Sequence, residues 1–89
     1  MDVLYRESFL RDLKKLKKYP IYNRVVTLVF QTLPDAGDLR EIRGLKSMTG
    51  NPHRHRIRLG NYRVGIRVEG TTIEVVRVLD RRDFYRHFP

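Results

Sequence analysis

The stretch PHRHRIRLGNYRVGIRV, residues 52–68, carries arginine at 54, 56, 58, 63 and 67 and no acidic residue. Gly60-Asn61 has the residue types of a two-residue hairpin turn. That turn sets Leu59 opposite Tyr62, Arg58 opposite Arg63, Ile57 opposite Val64, Arg56 opposite Gly65 and Arg54 opposite Arg67. Side chains alternate between the faces of a strand. One face therefore collects Ile57, Leu59, Tyr62, Val64, Ile66 and Val68, while the other collects the five arginines, with Gly65 leaving a gap among them. A slip of one residue would drive the arginines into the core, so the pattern itself specifies the register.

The following segment TIEVVRVL reads as a third strand of the meander. It extends the apolar face with Ile73 and Val75 and sends Glu74, Val76 and Val78 to the arginine face. Arg77 then falls on the apolar side and requires an acidic partner that the sequence does not name.

Upstream the period changes. In SFLRDLKKLKKYP, Phe9, Leu13 and Leu16 recur at helical spacing with Leu10 beside them. Ser8 is a candidate N-cap, and Pro20 ends this helix and suits the first turn of the next. IYNRVVTLVFQTL gives Ile21, Val25, Leu28 and Val29 one face before Pro34 stops it. PDAGD reads as a loop, LREIRGL as a short strand, KSMTGNP as a longer loop, and DRRDFYRHFP as a short helix or a tail across the sheet. Helices followed by a meander predict an α+β fold, an N-terminal helical hairpin packed on one face of a small antiparallel sheet.

At 89 residues the chain is expected to form one domain, residues 1–89, with a compact core. A hydrophobic content of 40% sets it apart from disordered chains. The lack of cysteine excludes disulfides and thiolate metal sites. No apolar run has the length of a membrane span, and MDVLYRES lacks the features of a signal peptide, so the expectation is a cytoplasmic protein with no membrane partner. The formal charge of +9 favours encounter with nucleic acid, an anionic surface or an acidic protein.

Like charges facing each other across a strand pair are unfavourable. The arginine face is thus either a solvated surface partly neutralised by Glu74 and other acids, or a rigid anion-binding surface. Arginine suits the second, because its planar fork donates two hydrogen bonds to one phosphate. Arg81, Arg82 and Tyr85 join the same face if the C-terminal segment folds back, although Tyr85 can equally pack with Phe84 and Phe88. Lys14 and Lys18 belong to a lysine run that is either the wet side of a helix or a second nucleic-acid contact. His53, His55 and His87 lack metal-ligand spacing, so no metal or other cofactor is expected.

Taken in order, FLRDLKKL, LREIRGL, RHRIRLGNYRVGIRV and IEVVRVLDRRDFYR resemble the RelE/ParE superfamily of toxin–antitoxin toxins over almost the whole chain. The resemblance implies a fold like the one above, and it implies an activity: cleavage of mRNA in the ribosomal A site, without metal, by attack of the 2′-hydroxyl on the adjacent phosphate. It implies as partners the ribosome, its mRNA and a cognate acidic antitoxin. By position, the family's two basic residues before the turn fall on Arg56 and Arg58, its phosphate-stabilising arginine on Arg63, and its terminal arginine and tyrosine on Arg81 and Tyr85, with Arg82 an alternative. Arg54 and Arg67 would be peripheral RNA contacts. Some RelE toxins have lysines at the positions of Arg56 and Arg58. Arginine does not give up its proton, so Tyr85 is the best remaining base, with His87 behind it. A ParE-like inhibitor of DNA gyrase, sharing the fold without the RNA-cutting set, and a binding module without activity are the alternatives.

Overall fold

The computed structural model describes residues 1–89. The elements are β1 (Asp2–Tyr5), α1 (Glu7–Lys15), α2 (Ile21–Thr27), a wider π-helical stretch (Leu28–Thr32), α3 (Leu33–Asp35), β2 (Leu45–Met48), β3 (Asn51–Leu59), β4 (Tyr62–Glu69), β5 (Thr72–Asp80) and α4 (Arg81–His87). Five strands form one sheet in the order β1-β5-β4-β3-β2, antiparallel except for β1, which runs parallel to β5. The β3–β4 register has Arg58 opposite Arg63, Arg56 opposite Gly65 and Arg54 opposite Arg67, the pairing that the Gly60-Asn61 turn predicts.

The main core lies between the sheet and the N-terminal helices. Phe9 and Leu13 of α1, Val25 of α2, and Leu28, Val29 and Leu33 beyond it meet Ile57, Val64, Ile66, Ile73 and Val75 of the strands. The opposite sheet face carries the arginines and is partly roofed by α4, where Phe84 and Phe88 bury themselves on Val76 in a small second core. The C-terminal segment is thus a helix, capped by Asp80, whose carboxylate accepts from the Arg82 amide at 2.9 Å.

Several local expectations are corrected. LREIRGL is not a strand: Leu39–Glu41 forms a 3-10 turn held by a reciprocal cap. Asp38 accepts from the Arg40 amide at 2.7 Å, while Glu41 accepts from the Gly37 and Asp38 amides. This Asp-x-x-Glu box satisfies the backbone locally, so the segment has no need of a sheet partner. The strand lies later, at Leu45–Met48, beginning on the last residue of LREIRGL and running into the expected KSMTGNP loop. The helix that begins at Ile21 also runs past Pro34 to Asp35, widening over Leu28–Thr32 ahead of a residue with no amide to donate.

β5 contains a bulge. Gly65 pairs with Arg77 and Ile66 with Val75, so Val76 is the extra residue and the parity changes there. Val76 still reaches the arginine face, but Val78 turns into the main core, against the expectation from strict alternation. Ser8 is not the N-cap of α1; that position is Arg6. Ser8 instead donates to the Val76 carbonyl at 2.6 Å, and Asp12, one turn on, accepts from the Val78 amide at 3.1 Å. β1 ends at Tyr5, and these two side chains take over the β5 edge that it leaves open. Asp12 also supplies the missing partner of Arg77, accepting from Nε at 2.7 Å and Nη2 at 3.1 Å.

Candidate active site

On the arginine face, β2 and β3 place Lys46 directly opposite Arg56. The exposed edge of α4 reaches over this pair. Tyr85, Arg56, Lys46, Ser47, Met48 and Thr49 line a single cleft of roughly 330 Å³. Arg56 is braced there by donating from Nη1 to the Gly44 carbonyl at 2.7 Å. Tyr85 is 56% exposed, with its ring edge-on to buried Phe84 at a centroid distance of 5.1 Å. The cleft therefore combines a guanidinium, an ammonium and a phenol on a rigid strand pair. Sequence reasoning omitted Lys46, because KSMTGNP read as a loop and its place across from Arg56 depends on β2 pairing with β3.

The other named residues are distributed around this cleft. Arg58 is exposed on the same face, opposite Arg63. Arg63 is only 8% exposed, and its Nη1 donates to the Gly60 and Tyr62 carbonyls, both at 2.9 Å. Its guanidinium is folded onto the hairpin turn and does not line the Tyr85 cleft. Arg81 and Arg82 line a smaller cleft with Asn61 and Asp80 beside that turn. There Arg82 pairs with Asp80 at 3.2 Å. Arg54 lies over the Phe88 ring at 5.7 Å, and Arg67 pairs with Glu69 at 3.2 Å. Lys14 and Lys18 are exposed on and just beyond α1, in the helical layer on the opposite side of the sheet from α4. They line neither cleft.

His87 is separated from Tyr85. It lines another cleft with Asp12, Tyr19, Tyr62, Arg77 and Asp83, between α1 and α4. Tyr62, in that cleft, has its phenol pushed above the ordinary tyrosine value by burial, with Asp80 adding to the effect. His55 lies in β3 directly opposite Ser47 of β2, its Nδ1 3.3 Å from the Ser47 hydroxyl. Burial, followed by neighbouring His53, lowers its pKa.

A small α+β domain carries a cationic cleft on one sheet face, overlooked by a tyrosine on a roofing helix, and the cleft offers hydrogen-bond donors and one phenol. The family is equally plain. Residues 3–85 match the model of the ParE toxin of type II toxin–antitoxin systems, and the chain belongs to that family and so to the RelE/ParE superfamily. It is 34% identical over 90 residues to Toxin RelE3 of Methanocaldococcus jannaschii, with both chains covered completely. Its fold matches a chain of the RelB–RelE antitoxin–toxin complex from Methanococcus jannaschii with a TM-score of 0.79 at 35% identity, covering 97% of this chain and 99% of that one. The RelBE2 toxin–antitoxin complex of Mycobacterium tuberculosis matches with a TM-score of 0.68 at 29% identity, over 90% and 96% of the two chains.

Proposed function

We propose that this toxin cleaves mRNA in the ribosomal A site and is held inactive by an acidic antitoxin. The observation that carries this reading is the cleft that gathers Tyr85, Arg56 and Lys46. Cleavage by the 2′-hydroxyl requires a base for that oxygen, charge stabilisation at phosphorus and a proton for the departing 5′-oxygen. The bond formed is 2′-oxygen to phosphorus and the bond broken is phosphorus to 5′-oxygen, leaving a 2′,3′-cyclic phosphate and a 5′-hydroxyl. Tyr85, acting as the phenolate, takes the 2′ proton and becomes the phenol. Arg56, fixed by the Gly44 carbonyl, donates to the phosphoryl oxygens as charge builds on them. Lys46, carrying three donors, supplies the proton to the 5′-oxygen. None of these roles calls for a metal.

Arg58 and Arg81 extend the cationic surface along the backbone of the message. Arg63 would reach a phosphate only by releasing the Gly60 and Tyr62 carbonyls, so its first role is to hold the turn between β3 and β4. The relatives solved as RelB–RelE and RelBE2 complexes support an antitoxin as the partner, and a net charge of +9 favours an acidic one.

Toeprinting on translating ribosomes tests the reading. Wild-type toxin is expected to give cuts at codon-defined positions, and Tyr85→Phe to cleave roughly 100-fold more slowly or worse, the usual scale for losing a general base. Unchanged cutting by Tyr85→Phe removes Tyr85 from the mechanism. The match to the ParE model favours a second reading, inhibition of DNA gyrase. Loss of supercoiling activity with no RNA cuts would establish that reading instead.

A further inference from the structure

Tyr85 is on a seven-residue helix, too short to hold a fixed place over the cleft by itself. What anchors it lies at its far end. Phe88 is 2% exposed and its ring rests on Gly65, the one position of β4 where the arginine face has no side chain. A Cβ at residue 65 would lie 2.7 Å from Cδ1 and 2.8 Å from both Cε1 and Cγ of that ring. Gly65 has no positive φ, so the strand geometry does not require glycine there. The ring does. Phe84 backs Phe88 at 5.1 Å, and the Arg54 guanidinium lies over its ring at 5.7 Å.

We propose that Phe88, seated in the Gly65 notch and covered by Arg54, is a positioning residue that fixes Tyr85 over the Arg56–Lys46 cleft. The Gly65 gap among the arginines is then a socket for the protein's own C-terminal helix. Arg54 serves this lock through its attraction to the aromatic face, rather than serving RNA. The cluster of Val76, Phe84 and Phe88 is separate from the main core. Loosening it therefore leaves the β3–β5 meander and the N-terminal helices folded. The inference rests on the nuclease reading for its catalytic consequence, but the lock itself can be observed without activity.

The experiment compares Phe88→Ala, Phe88→Leu, Gly65→Ala and the double variant Gly65→Ala/Phe88→Ala by two readouts. In amide hydrogen exchange, Phe88→Ala is expected to expose the amides of α4 while β3, β4 and β5 keep their protection, and Phe88→Leu to restore much of that protection. In single-turnover cleavage of A-site mRNA, Phe88→Ala is expected to lose about 100-fold in maximal rate, the scale of a misplacement near 1 Å. Its half-saturating toxin concentration should stay the same. Gly65→Ala should reproduce this loss, and the double variant should add nothing to it. Wild-type exchange in α4, or a wild-type cleavage rate, in Phe88→Ala overturns the proposal. A wild-type protein that cuts no RNA overturns the nuclease reading alone, and the exchange result then decides whether the lock exists.

Discussion

Asp12 shows how much one side chain can hold. It is 5% exposed, and its carboxylate binds both the Arg77 guanidinium and the Val78 amide at the bulge in β5. Removing it leaves a partly buried cation and a buried amide without an acceptor, which costs about 3 kcal/mol in a comparable site. Asp12→Ala is expected to lose that much in urea denaturation, and Asp12→Asn less, since an amide oxygen still accepts. An equal midpoint for Asp12→Ala and wild type would rule out the edge-capping role. Lys46 is the residue-scale counterpart at the site. Lys46→Met, which keeps much of the chain length and removes the donors, is expected to slow A-site cleavage with little change in folding. Full activity in that variant would take Lys46 out of the chemistry. In the sequence, strict alternation places Arg77 on the apolar side, but the bulge pairs it with Gly65 on the arginine parity; it meets Asp12 because α1 packs beside β5.

At the scale of elements, β2 and α4 bring the two halves of the cleft together. β2 is set by Gly44, whose φ of +77° suits glycine and whose carbonyl receives both the Arg58 amide and the Arg56 guanidinium. A Cβ there would come within 2.8 Å of the Arg58 carbonyl oxygen. Gly44→Ala is expected to cost about 1–3 kcal/mol by thermal or chemical denaturation, and to impair cleavage by shifting Lys46 and Arg56 together. α4 begins at Asp80, whose carboxyl is held below the ordinary carboxylate value chiefly by the Arg82 amide, with the Arg82 side chain adding to it. A depressed folded pKa contributes stability above the unfolded value, near 3.8, and that stability is lost as pH falls through the lower folded value. Protection of the α4 amides, measured against their intrinsic exchange rates, should therefore fall below about pH 4, before that of the strands, and Asp80→Asn should flatten this dependence. A uniform loss of protection across the sheet would contradict the cap as its origin.

Over the whole molecule, the layers assign the charge. One sheet face is closed by α1 and α2 around the main core; the other is left to cations and to α4. Arg67 and Arg82 on that side are paired with acids, whereas Arg56, Arg58, Arg81 and Lys46 pair with no carboxylate. About four free cations on single-stranded RNA predict a slope of roughly −3 for log affinity against log salt. Filter binding of an unstructured RNA at several salt concentrations measures it. A slope near zero would mean that this face does not engage the phosphate backbone.

By itself, the sequence determined the β3–β4 register, because a period of two with apolar residues on one parity and arginines on the other tolerates no slip. It determined the two N-terminal apolar stripes in the same way, through helical spacing. Only the tertiary structure decided the rest, each time through partners distant along the chain. β1 forms because β5 offers it a parallel edge, and β2 forms because Arg56 and Ile57 are there to pair with. Val78 turns inward because a bulge changes the parity of β5. The five arginines that look alike in sequence take different tasks for the same reason. Arg54 meets Phe88, Arg63 meets the turn carbonyls, Arg67 meets Glu69, and only Arg56 meets Lys46 and Tyr85 at one cleft. Local pattern fixes which face a side chain takes, while folding fixes what it finds there.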